Sequence, residues 1–541
     1  MGPFFDCRGS RDGLSKRINE ANPAGAAPSI TLGVKLEATQ KDHEGDSFGS
    51  DYDKKAEYDL SDPWDGSTPA EQPDSITVDK DNYIISIYDA EGLAYLNTLV
   101  NDSNFINDHG SKWKYTIELN ADINLLDKPW TPISLNNFVA FEGNGHTIKN
   151  LYVNGGDNAG LFAITGSNDS GTIYIRDLTI DGAKVSGKNS VGVVAGSSPQ
   201  GIFENVTVIN ATVIGEKYVG GIFGHGNGGA TNCTVKNSKI VIPADGIKEA
   251  GGLIGYLSND GIASTENKII SGNLVENVTV IAPTIASGLV AQPNSSNKGG
   301  AIIVVENNTM KNVTVMTGDE TAALYVSNNV SGKSEVKNNT AENCKALTYK
   351  VVDDTWDALT TAKEGDVVIM KAGTHTTSGT HTIPSGVTIM GEEGKEVIIH
   401  QNSAAQDDIF NCVGDVVIRN ITFESNRKGY AVAGSTKNHD TDGDITIIDC
   451  TFKGLASEKN WGVYKNLNGN LTIQNCTFDN YNNAICGVNN GGDSKTIITG
   501  CTFTNINGEA IGYVASSMPV DFEAQVIADN TGLTAENVIG Y

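Results

Sequence analysis

Short runs in which apolar and polar residues alternate recur along this chain, each entered through Asn or Asp. Between Asn158 and Val326 they read Asp177-Leu-Thr-Ile, Asn205-Val-Thr-Val, Asn232-Cys-Thr-Val, Asn277-Val-Thr-Val and Asn312-Val-Thr-Val. Alternation with β-branched residues predicts a short strand with one face turned inward. Between these runs stands a second phrase, an apolar pair behind a glycine: Gly160-Leu-Phe, Gly192-Val-Val, Gly221-Ile-Phe, Gly252-Leu-Ile and Gly288-Leu-Val. Those glycines are 32, 29, 31 and 36 residues apart. Such a period marks stacked units, each too small to bury its own apolar face. No 3.6-residue pattern intervenes, so the repeat predicts a coil of strands and turns, a parallel β-helix.

The pattern changes at both ends of this stretch. Asp89 can cap a helix whose stripe is Leu93, Leu96, Leu99 and Val100, and a helix before the first rung would cover an open sheet edge. Near residue 347 the pattern restarts with Asp354-Thr-Trp-Asp-Ala-Leu and then Ile383-Pro-Ser-Gly-Val-Thr-Ile-Met-Gly. Rungs follow at Asn420-Ile-Thr-Phe, Asp449-Cys-Thr-Phe, Asn475-Cys-Thr-Phe and Gly500-Cys-Thr-Phe, in steps of 29, 26 and 25 residues, with a second column through Val432, Val463, Ile485 and Ile511. The expected fold is all-β, a solenoid in two consecutive segments, each with a short N-terminal capping helix. Residues 1–78 are expected to be an extended arm, 79–346 the first cap and coil, and 347–541 the second coil with its terminal cap.

The helix, Trp130-Thr-Pro-Ile, Gly143-Asn-Gly-His-Thr-Ile and the Gly-Leu-Phe phrases together resemble the GLUG-motif proteins of bacterial cell surfaces, over residues 82–345. The second segment resembles the pectin-lyase-like β-helices. These resemblances imply right-handed coils used outside the cell, commonly in adhesion, and imply no enzyme by themselves.

Charge narrows the partners. With 38 basic against 65 acidic residues the net charge is −27, a field that repels nucleic acid, anionic lipid surfaces and acidic polysaccharides. Neutral glycans and proteins remain. No apolar run is long enough to insert in a membrane, and Met1-Gly-Pro-Phe-Phe-Asp-Cys lacks the apolar core of a signal peptide. The arm pairs a basic start (Arg8, Arg11, Lys16, Arg17) with nine acidic residues between Asp42 and Asp65, too polar to bury much surface. Cys233, Cys344, Cys450, Cys476 and Cys501 fall where other rungs carry Val206, Leu178 or Ile421, which predicts buried free thiols. Cys7, Cys412 and Cys486 fall outside that column.

Catalytic signals are weak. The polygalacturonases, which the second segment resembles, carry an Asp pair, then Gly-His-Gly, then Arg-Ile-Lys. Here Gly224-His225-Gly226 precedes Asp407-Asp408 by about 180 residues and no Arg-Ile-Lys follows, so no catalytic residues are assigned. Arg419, Arg427 and Lys428 are the nearby cations that a lyase would need, and His400 and His439 the nearby histidines. Asp440, Asp442 and Asp444 alternate in a turn as calcium ligands do, without the later ligands of an EF-hand; calcium bound there would stiffen a loop, and no other cofactor is expected. Asn-x-Thr sequons at Asn205, Asn277 and Asn420 are by-products of the strand repeat. The better ligand-binding candidates are aromatic: Trp461, Tyr464, Tyr481 and Tyr513, with Asn480, Asn482 and Asn483 to bond sugar hydroxyls.

The function expected is non-catalytic attachment outside the cell, with turn loops shown to a glycan or protein receptor. A virion fibre is favoured slightly over a cell-surface adhesin, residues 1–78 joining another assembly protein and the chain forming a homo-oligomer, by analogy a trimer. The alternative is a polysaccharide depolymerase or lyase using Asp407 and Asp408.

Overall fold

The computed structural model describes residues 64–541 except 103–104, 106–114, 168–170, 247–248, 259–266, 295–301, 319–321, 327–333, 353–355, 403–407, 426–428, 435–442, 456–459, 466–468 and 491–493. About 52% of the described residues are strand and 6% helix. The chain is an all-β solenoid of parallel β-helix type: successive rungs pair in register, as in Thr179↔Thr207↔Thr234 and Ile180↔Val208↔Val235↔Val275↔Met310, and the second row is buried throughout.

The Asn or Asp that opens each strand phrase makes the corner. Asn205, Asn232, Asn277, Asn312, Asn420, Asp449 and Asn475 all have φ between 53° and 57°, a left-handed conformation that Asn and Asp tolerate best among non-glycine residues. Their side chains then tie rung to rung. Asn205 donates to Asp177 (3.0 Å), Asn312 to Asn277 (2.9 Å) and Asn475 to Asp449 (3.2 Å). A second, buried ladder runs inside the coil, where the backbone N–H groups of Cys233, Asn273 and Asn308 donate to the side-chain oxygens of Asn273, Asn308 and Asn339 (2.7–2.9 Å).

The glycine phrase has a different cause from the corner. At Gly160, Gly221, Gly252 and Gly288 a Cβ would lie 2.0–2.5 Å from a carbonyl oxygen of the next rung. Glycine is required there for close backbone approach, while both residues of each following pair, such as Leu161-Phe162 and Ile222-Phe223, are buried.

Helix α1 (Ala90–Leu99) closes the first coil: Asp89 caps it by accepting from the Gly92 N–H at 2.8 Å, and Leu93, Leu96 and Leu99 are buried in the coil core. The fold begins earlier than residue 79. Trp64 meets Trp130 edge-on at 5.8 Å, and strand Ile76–Asp79 pairs antiparallel with Ile84–Ile87, so residues 64–78 belong to the coil unit. The second coil opens with the one-turn α2 (Asp357–Thr360); near its end come α3 (Phe522–Asp529), whose Phe522 and Val526 enter its core, and a last strand, Val538–Gly540, paired with Ile511–Tyr513. Along its interior Phe410, Phe423, Phe452, Phe478 and Phe503 form a column with ring centroids 4.6–5.5 Å apart.

Strand Lys345–Val352 joins the coils: its first half pairs with Thr314–Thr317 and its second with Val367–Met370. The two coils have separate cores, but outward-facing Val241, Ile281 and Met316 of the first pack with Val367, Ile369 and Met390 of the second. Lys239 Nζ lies 3.1 Å from Glu393 Oε1, and the Ala244 N–H donates to Glu392 Oε1 at 2.8 Å. The strands flanking these contacts are five ladder steps apart, about 24 Å at the ~4.8 Å strand spacing. The second coil is therefore folded against the outer face of the first and does not prolong it as a straight rod. The last rung of the first coil stays open: Val336 is 40% exposed, Ala341 and Ala346 are exposed at inward positions, and Cys344 is only half-buried. Cys233, Cys450, Cys476 and Cys501 are buried free thiols, whereas Cys344 departs from that expectation: it is half-buried, and among the described residues the neighbouring strands Ser334–Lys337 and Thr340–Glu342 lie at sheet edges.

Candidate functional site

The outer wall of the second coil is a seven-stranded sheet that includes Phe410–Cys412, Tyr430–Gly434, Trp461–Lys465, Asn483–Val488 and Ile511–Tyr513. Val432, Val463, Ile485 and Ile511 stack inward and are fully buried. Two residues before each, register places Tyr430 beside Trp461 beside Asn483; one residue after each lie Ala433, Tyr464 and Cys486. The Tyr430 ring stacks on Trp461 (centroids 5.1 Å, planes 26°) and on Tyr464 (4.7 Å, 25°). All three rings are half-buried. Gly487, at φ 63°, makes room for Tyr464: a Cβ there would lie 2.5 Å from the ring.

The ends of this wall are polar. Asp408 Oδ1 accepts from the Tyr430 N–H at 2.8 Å, and Asn483 Nδ2 donates to Glu509 Oε2 at 3.4 Å. Burial, helped by Cys486, Tyr464 and Asp408, holds the Tyr430 phenol above its ordinary range. Burial and Glu509 push the Cys486 thiol up to about 12, and burial with the Glu509 hydrogen bond pushes the Tyr541 phenol up to about 12. At neutral pH these hydroxyls and the thiol stay protonated.

The sequence-derived aromatic set divides. Trp461 and Tyr464 come together, joined by Tyr430, which the sequence reading missed although it precedes Val432 by the same two residues that separate Trp461 from Val463. Tyr481 is fully buried, its hydroxyl 2.6 Å from Ser425 Oγ, and Tyr513 is 9% exposed with its ring edge-on to Phe522. Both are packing residues and leave the sugar-facing set. Asn480 is a corner residue at φ 58°, and the Asn482 N–H is bound by Asn460 Oδ1.

The described candidate acids and bases, Asp444, His400 and Arg419, sit at different places on the coil. Asp444 belongs to a corner ladder: its two oxygens accept from the Asn470 N–H (2.6 Å) and Nδ2 (2.9 Å), and its own N–H donates to Asp415. His400 Nδ1 pairs with Glu424 Oε2 at 3.0 Å on another sheet, and Arg419 is exposed at a strand end. Asp407, Arg427, Lys428, His439, Asp440 and Asp442 lie outside the described residues, as do Cys7 and most of the arm.

A second concavity, of about 330 Å³, lies on the first coil among Tyr218, His225, Tyr256, Ser197, Asn227 and Ser258. Register sets Ser197, His225, Tyr256 and Gln292 in one outward row. The glycines about His225 are structural, since a Cβ on Gly224 or Gly226 would lie 2.3 or 2.0 Å from backbone atoms of the preceding rung. Gly224-His225-Gly226 lies on a strand, Phe223–Gly226, whose half-buried imidazole faces out.

No family model matches the chain. Halomucin of Haloquadratum walsbyi is 36% identical over 152 residues, which span 26% of this chain and 2% of halomucin. Among solved structures, a candidate immunoglobulin A1 protease from Bacteroides ovatus is 18% identical over 49% of this chain and 74% of its own, at a TM-score of 0.31. The alginate lyase AlyGC is 10% identical over 80% and 91%, at 0.23, and the A-module of mannuronan C-5 epimerase AlgE6 from Azotobacter vinelandii is 12% identical over 81% and 98%, at 0.17.

Proposed function

We propose that this chain is a non-catalytic attachment protein acting outside the cell, and that the wall of its second coil binds a neutral glycan. The observation that carries this reading is the Trp461–Tyr430–Tyr464 stack, three half-buried rings joined through Tyr430, with Asn483 in register beside Trp461. Aromatic faces take the C–H faces of sugar rings, and a neighbouring amide can both donate to and accept from hydroxyls. The net charge of −27 favours a neutral polymer over an acidic one. Cleavage would call for a pair of carboxyl groups across a glycosidic bond, whereas the carboxylates of this wall, Asp408 and Glu509, are tied to the Tyr430 N–H and to the Asn483 amide on different strands. A virion fibre or surface adhesin, anchored through residues 1–78, is the setting that this reading fits.

Retention of the full chain on immobilised neutral polysaccharides tests it. Trp461→Ala should weaken retention by at least about tenfold, ~1.4 kcal/mol, with the fold intact. Unchanged retention rejects the reading. Release of reducing ends or unsaturated sugars by the wild-type chain, lost on Asp408→Asn, would favour the depolymerase instead.

A further inference from the structure

We propose that the Tyr218–His225–Tyr256 concavity on the first coil is a second, independent carbohydrate site that takes a single neutral pyranose ring.

Three features of the site specify that ligand. The rings lie against one another, with centroids 4.9–5.2 Å apart and planes inclined by 23–48°. No slot separates them, so they make a floor for a puckered ring rather than a clamp for a flat aromatic base. The volume of about 330 Å³ is at the lower end of the ~300–1,000 Å³ range of small-molecule sites, enough for one sugar unit with its hydroxyls.

The rim supplies the polarity that a sugar requires. Ser197, Ser258 and Asn227 carry hydroxyl and amide groups that both donate and accept, and none of the lining residues is a carboxylate, Lys or Arg. Burial first, and Lys217 second, hold the His225 imidazole below its ordinary range, so it is neutral at pH 7 with one donor and one acceptor nitrogen. Lys217 lies 4.8 Å over the Tyr218 ring, stiffening the floor from its side. Asn294 Nδ2 donates to the Tyr256 hydroxyl at 2.5 Å and fixes its orientation. An ionic ligand would meet no lining counter-charge, and a wholly apolar one would strand the rim.

The site is built on strands of the first coil, whereas Trp461 belongs to the second, so the two can fail separately. Saturation-transfer NMR with methyl glucoside, methyl mannoside, methyl N-acetylglucosaminide and methyl glucuronide reads both. At least one neutral glycoside should bind the full chain, bind Trp461→Ala equally well, and lose at least tenfold in affinity on His225→Ala or Tyr256→Ala. Tyr256→Phe and Ser197→Val, which keep the packing, should each weaken binding and leave the melting temperature within a few degrees. Absence of binding by every neutral glycoside, tighter binding of glucuronide, or indifference to all four substitutions would overturn the proposal. Retention on polysaccharide that persists in His225→Ala but is lost in Trp461→Ala would leave the wall reading standing while this one falls.

Discussion

Burial of an imidazole ties individual residues to the stability of the whole chain. His225 and His381 are both held below the ordinary histidine value of 6.5, chiefly by desolvation. The unfolded chain takes up a proton at each of these positions near pH 6.5, and the folded chain resists. Below that pH the unfolded state binds more protons, so stability falls as pH drops from 7 to 5; above it neither form is charged and the effect vanishes. Thermal melts across pH 5–8 should show this slope, and His225→Gln should flatten part of it; a slope unchanged in that variant contradicts the assignment. At this scale the sequence distinguished poorly between like residues. Tyr464 and Tyr481 are both aromatics near turns, yet Tyr464 takes an outward strand position and Tyr481 ends in the core against Ser425. What separates them is register, which composition does not carry. Tyr430 and Trp461 could have been paired from their equal offsets to the Val432 and Val463 column.

The strand phrases were legible because their periodicity reports burial directly: apolar alternation marks the inner face, and the Asn or Asp before it marks the left-handed corner. The inner ladder was less so, since Asn273, Asn308 and Asn339 stand at positions filled elsewhere by Val206 or Leu178, and an amide in an apolar column is recognised only once its rung-to-rung partners are seen. Asn308 accepts from Asn273 and donates to the Ile270 carbonyl and to Asn339, all in the interior. Asn308→Ala should therefore cost about 3 kcal/mol, because buried groups left without partners each cost ~1–3 kcal/mol. Denaturant unfolding measures this, and a loss below about 1 kcal/mol would show that the ladder is incidental. The Gly-Leu-Phe phrase shows itself as scaffold through its period, but the period does not reveal why glycine stands there: Gly252 is demanded by the Gly288 carbonyl beside it rather than by a corner conformation.

At the scale of the molecule, two segments were foreseeable from the restart near residue 347, but their side-by-side packing was not. The polar contacts across it come from Gly391-Glu-Glu-Gly, which reads as an ordinary acidic turn. Glu392 is buried and accepts from both the Ala244 and Ala372 N–H groups at 2.8 Å, one from each coil. Glu392→Ala removes both charge-assisted bonds, worth ~1.5–3 kcal/mol each, and should enlarge the radius of gyration in small-angle scattering while each coil keeps its far-ultraviolet circular dichroism. An unchanged radius would mean that the apolar contacts of Met316 and Ile369 suffice. The measurement that bears most directly on the function is calorimetric titration of the full chain with the neutral oligosaccharide it retains best, comparing Trp461→Ala with Tyr481→Phe. Trp461→Ala should lose at least about tenfold in affinity at an unchanged melting temperature, and Tyr481→Phe should keep its affinity while losing about 1 kcal/mol of stability with the Ser425 bond. Full affinity in Trp461→Ala, or binding lost with Tyr481→Phe, would contradict the assignment of the glycan to the outer wall.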